Sequence, residues 1–75
     1  MNTKITINTE YITLGGFLKF CGAVGTGGES KELILSGGVL VDGEQCTMRG
    51  KKLRPGNVVS FAGREEVYEV SGLEG

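Results

Sequence analysis

Arg49, Lys51, Lys52 and Arg54 fall within six residues of one another, in the run Met48-Arg49-Gly50-Lys51-Lys52-Leu53-Arg54, and no acid is interleaved among them. Cations at that density repel one another unless an anion lies between them. Polynucleotide phosphate is the natural anion, because each Lys or Arg contact releases condensed counterions. The plain alternative is a solvated loop. No aromatic residue stands inside the run, so the loop itself is expected to read backbone and shape without stacking bases. A second candidate is the stretch Gly22-Ala23-Val24-Gly25-Thr26-Gly27-Gly28-Glu29-Ser30-Lys31. It is not a Walker A loop, because Gly28 and Glu29 follow Gly27 where Lys and Ser or Thr are needed. It is not a dinucleotide fingerprint either, because Ser30 occupies the third glycine position. Beyond a Gly-rich connection between helices, one chemical option stays open. The backbone N–H groups of Gly27 and Gly28, at the start of a helix and beside Lys31, could hold one phosphate of a polymer.

Other chemistries find little support. The 75 residues include no His, which removes the commonest general base and the commonest metal ligand together. The two cysteines, Cys21 and Cys46, are too few for a zinc site and read as reduced thiols behaving as small hydrophobes. Glu29 with Glu32, and Glu65 with Glu66 and Glu69, offer carboxylate pairs, but no pattern directs them into one cleft. The expectation is a binding protein with no catalytic residue, no metal site and no cofactor. No apolar run exceeds three residues, so no membrane helix is expected, and the first residues lack the apolar core of a signal peptide. A cytoplasmic protein is the default.

The elements that must hold these groups can be read from periodicity. Lys4–Asn8 alternates as a short strand. Thr13 offers an N-cap to a helix in which Leu14, Phe17, Leu18 and Cys21 form one apolar stripe, with Gly22 as the stop. Lys19 lies about 140° round from Leu14 and points to solvent. Thr26-Gly27-Gly28-Glu29 fits a capping box for a second helix ending at Gly37-Gly38. Its Ser30, Leu33, Ile34 and Gly37 share a face, and the small residues at either end allow close approach to the first helix. Lys31 falls beside that face. Val39–Val41 and Glu44–Thr47 read as a hairpin across Asp42-Gly43. Residues 48–54 read as loop, and Arg54-Pro55-Gly56-Asn57 as a type II turn. Val58–Phe61 and Val67–Val70 are two further strands, and residues 71–75 are expected to fray. Tyr11, Phe17, Phe20, Met48, Phe61 and Tyr68 are taken as core or sheet-face residues. The fold class is therefore α+β, two short helices packed on a small, mostly antiparallel sheet, in one domain over residues 1–75.

Formal net charge is only −1, but it is unevenly placed. Residues 45–64 carry five cations and no acid, whereas residues 65–75 carry four Glu and no cation. The balance limits non-specific attraction without removing a local anion site.

Several stretches, in this order and spacing, resemble the S4 RNA-binding domain family, and within it the stand-alone bacterial proteins of the YaaA/YbcJ-like kind. They are Thr13-Leu14 with Phe17-Leu18-Lys19, Thr26 to Lys31, Gly38 to Glu44, and Arg49 to Val59. The likeness spans about residues 4–70. It implies an αL-type S4 fold in which two helices and a β-loop form one basic face for structured RNA, often ribosomal RNA, held without catalysis. By matching positions, Lys19, Lys31, Arg49, Lys51, Lys52 and Arg54 are the expected phosphate contacts, and a role in ribosome assembly or translation is implied. Three departures stand out. Met48 replaces a second Arg, Asp42 replaces the Asn of an Asn-Gly turn, and Asn57 replaces the Asp of a Gly-Asp pair. A monomer is favoured. Two alternatives from other classes stay open at this point. One is a protein-interaction module whose basic loop meets an acidic partner. The other is a β-grasp sulfur carrier, against which stands the terminal Ser71-Gly72-Leu73-Glu74-Gly75, lacking Gly-Gly at its end.

Overall fold

The computed structural model describes residues 2–73. Strand β1 (Asn2–Ile7) is followed by the two-residue β2 (Ile12–Thr13), helices α1 (Leu14–Phe20) and α2 (Gly27–Leu35), and the short hairpin β3 (Val39–Val41) and β4 (Glu44–Gln45). Strands β5 (Lys52–Leu53), β6 (Val58–Phe61) and β7 (Val67–Gly72) complete the chain. Five strands form one sheet in the order β1-β7-β6-β3-β4, and β2 pairs with β5 in a separate two-stranded ladder. All pairings are antiparallel except β1 with β7, which runs parallel from Asn2 opposite Val67 to Ile7 opposite Gly72.

The helices begin where the hydroxyl caps lie. Thr13 Oγ1 accepts from the Gly16 N–H at 3.3 Å, and Thr26 Oγ1 from the Glu29 N–H at 3.2 Å. Helix α2 ends in a Schellman arrangement: the Gly38 N–H donates to the Leu33 carbonyl, the Gly37 N–H donates to the Ile34 carbonyl, and Gly37 is left-handed at φ +84°. The Asp42-Gly43 turn has positive φ at both positions, as a two-residue hairpin turn requires. Leu14, Phe17 and Leu18 of α1 and Ile34 of α2 then meet Val39, Leu53, Val59 and Val70 in one core, all with no measurable exposure. Phe17 and Phe61 each place their rings edge-on to Tyr68.

Four expectations are corrected. Lys52 and Leu53, taken as loop, form β5, because Leu53 is drawn wholly into the core and its neighbour pairs with Thr13. Ser71 and Gly72, taken as part of a frayed tail, continue β7, because β1 supplies a ladder partner for each; Glu74 and Gly75 lie outside the described residues. Gly37 does not approach α1. It faces β4, where Gln45 Nε2 donates to its carbonyl at 3.1 Å. Tyr11, Phe20 and Met48 are not core residues, being 40%, 60% and 65% exposed.

Candidate nucleic-acid interface

The basic segment is fixed through its backbone. A helix leaves its first N–H groups without intrahelical partners. In α1 two of these are satisfied by the basic segment. The Leu14 N–H donates to the Lys51 carbonyl at 2.8 Å, and the Gly15 N–H donates to the Arg49 carbonyl at 3.0 Å. Lys51 N–H donates in turn to the Met48 carbonyl at 3.2 Å, closing a turn, and β5 continues the attachment by pairing with β2. Both ends of the loop are therefore held while its side chains stay outside.

Small residues allow the three elements to meet. Ser30, 2% exposed, donates its hydroxyl to the Gly15 carbonyl at 3.3 Å, tying α2 to α1. A Cβ on Gly15 would lie 3.4 Å from that hydroxyl oxygen and 3.7 Å from Arg49 Cβ, ordinary van der Waals contact, so helix and loop backbones already pack closely here. Between them opens a cleft of about 370 Å³ lined by Thr13, Gly15, Gly16, Lys19, Gly27, Ser30, Arg49 and Gly50.

The structure thus brings Lys19, Arg49 and Gly27 to one cleft. The other expected contacts are placed around it. Gly28 is exposed at the next position of α2, and Lys31 is exposed one helical turn beyond Gly27. Lys51 lies on the other side of the loop, lining a cleft with Asp42, Glu44 and Met48. Lys52 points out from β5 and sets its ammonium 4.9 Å from the centre of the Tyr11 ring. Arg54 is exposed at the turn before Pro55, its N–H held by Asn57 Oδ1 at 2.7 Å. Among the described residues, no carboxylate forms an ion pair with any of these six cations. The α2 N-terminus is partly complemented already, since Glu29 stands in its first turn.

Both cysteines are free, and burial pushes the Cys21 thiol above its usual pKa while its Sγ lies 3.6 Å from the Leu18 carbonyl. The residues that sequence reasoning misplaced are the exposed aromatics Tyr11 and Phe20. For Phe20 a signal existed, because it lies about 120° from Leu14 on the helical wheel, off the apolar stripe.

The family model described as the S4 domain matches residues 5–71. The chain is also 43% identical over 63 residues to the "Probable ribosome maturation protein RlbA" of Bacillus subtilis (strain 168), covering 84% of this chain and 89% of that protein.

Proposed function

The chain belongs to the S4 domain family, and from that premise we propose that it is a non-catalytic RNA-binding protein acting on the ribosome or its precursors. It docks structured RNA, with ribosomal RNA as the favoured partner, through the face formed by α1, α2 and the 48–54 segment. Lys19 and Arg49 take phosphates at the cleft, Lys31, Lys51, Lys52 and Arg54 take phosphates around it, and the Gly27 and Gly28 N–H groups add a backbone contact. A cytoplasmic monomer fits that role. The observation that carries the reading is the pair of bonds from the Leu14 and Gly15 N–H groups to the Lys51 and Arg49 carbonyls. They fix the backbone that carries the cations, so less backbone ordering entropy opposes binding. The name of the Bacillus relative supports the ribosomal part, and the S4 family match displaces the sulfur-carrier alternative.

Crosslinking in cells, followed by sequencing of the recovered RNA, tests this reading. Ribosomal RNA is expected to be enriched at a few sites, and the enrichment is expected to be lost when Arg49 and Lys51 are both changed to Ala. Capture of a protein that persists after ribonuclease treatment, with no site-specific RNA, would instead make the basic loop a protein-docking surface.

A further inference from the structure

Tyr11 and Phe20 are large rings left 40% and 60% exposed in a protein with few core residues to spare. They share a cleft of about 530 Å³ with Ile7, Glu10, Ile12 and Thr13. That volume is within the usual range of small-ligand sites, about 300–1,000 Å³. The cleft adjoins the basic one. Thr13 lines both, and the consecutive residues Lys19 and Phe20 of α1 line one each. Lys52 supplies the link in charge, its Nζ lying 4.9 Å from the Tyr11 ring centre while the ring keeps its exposure. Thr9 lines the cleft too, its hydroxyl donating to the Tyr11 carbonyl at 2.8 Å.

We propose that this second cleft takes an unpaired nucleobase of the RNA whose backbone lies on the basic face, stacked against Tyr11 and Phe20 with its phosphate at Lys52. The inference rests on the RNA-binding reading and adds to it a preference for RNA with an unpaired nucleotide beside a helix. Aromatic rings accept any base face, and a cation beside the ring meets the phosphate that accompanies each base. Glu10 also lines the cleft and offers acceptor oxygens to a base N–H, while Lys52 meets the phosphate. The charge arrangement favours a nucleotide over an apolar side chain of another protein, which would have no use for Lys52.

Two RNA hairpins, identical except that one carries a single unpaired 2-aminopurine, test the proposal by fluorescence anisotropy and by quenching of that base. The wild-type chain is expected to bind the bulged hairpin more tightly and to change the 2-aminopurine emission. Tyr11→Ala and Phe20→Ala are expected to weaken the bulged hairpin about 5- to 100-fold, leave the paired one unchanged and abolish the emission change. Tyr11→Phe, which keeps the ring, is expected to behave as wild type and guards against a folding artefact. Equal losses on both hairpins, or none on either, would overturn the proposal. So would aromatic variants that alter only self-association by sedimentation, which would make the cleft a contact between copies. Arg49→Ala with Lys51→Ala forms the separate arm. Weakening of both hairpins upholds the RNA-binding reading whatever the aromatics do, and no change on either removes that reading and the proposal with it.

Discussion

The segments 48–51 and 62–66 are both short connections leading into strands, and both are charged, one basic and the other mainly acidic. They are held differently. The 62–66 turn is held within its own hairpin by Arg64 N–H to the Phe61 carbonyl at 3.1 Å, and against the α2–β3 connection by Ala62 N–H to the Gly38 carbonyl at 3.0 Å. Its side chains interact locally, with Arg64 over the Phe61 ring and Glu66 accepting from the Tyr68 hydroxyl at 3.1 Å. Together with burial, that carboxylate pushes the Tyr68 pKa up. The basic segment instead gives its carbonyls to another element, the start of α1, and faces glycines. The contrast lies in the side chains, which have internal partners in the acidic turn, whereas Arg49 and Lys51 meet no carboxylate in an ion pair among the described residues.

Substitutions can break or sharpen this contrast. Leu53→Ala should have the largest effect. It empties a wholly buried site under the basic segment, with an expected loss of about 2–5 kcal/mol in urea denaturation, whereas Glu66→Gln in the acidic turn should change stability by no more than about 0.5 kcal/mol. Equal effects would mean the basic segment is not fixed by the core. Arg49→Ala with Lys51→Ala should lower affinity for structured RNA about tenfold and flatten the salt dependence by about two in log–log slope, with the fold intact by circular dichroism. Loss confined to one RNA sequence would indicate base reading.

Asn57→Asp comes next. Asn57 Nδ2 donates to Asp42 Oδ2 at 2.7 Å, and Asp42 Oδ1 accepts from the Val58 N–H at 2.9 Å. The variant sets two carboxylates face to face and should cost about 1–2 kcal/mol at neutral pH, most of it restored by adding Asp42→Asn. Failure of the second change to restore stability would show that the pair is not coupled. Met48→Arg should have the smallest effect, raising affinity a few-fold and steepening the salt slope by about 0.9. An unchanged slope would place that exposed residue away from the RNA.

Much of this was legible because alternation and caps report on residues that lie close in sequence. Thr13 and Thr26 cap the helices, Val58–Phe61 is a strand, and Asp42-Gly43 is a tight turn, as the pattern implies. The β2–β5 ladder was not legible, because two residues per strand carry no period, and Lys52-Leu53 reads as the end of a basic run. The parallel partnership of β1 with β7, and hence the order in Ser71 and Gly72, depends on a partner some sixty-five residues away. The sequence pattern offered no link between Asp42 and Asn57, which stand fifteen residues apart. In the structure the two side chains bond to each other, Asn57 Nδ2 donating to Asp42 Oδ2. The cation types were visible in the sequence, but their grouping was not. Which of them share a cleft follows from backbone bonds between α1 and residues 49 and 51, to which side-chain pattern is blind.

The central claim is that the basic segment and the helix lysines present a preformed phosphate-binding face. The salt dependence of wild-type binding to a structured ribosomal RNA fragment tests it most directly. Neutralisation of about four to six phosphates by the six cations gives an expected slope of about −3 to −5 for log K against log salt. A slope near zero, or no binding at low salt, would contradict it.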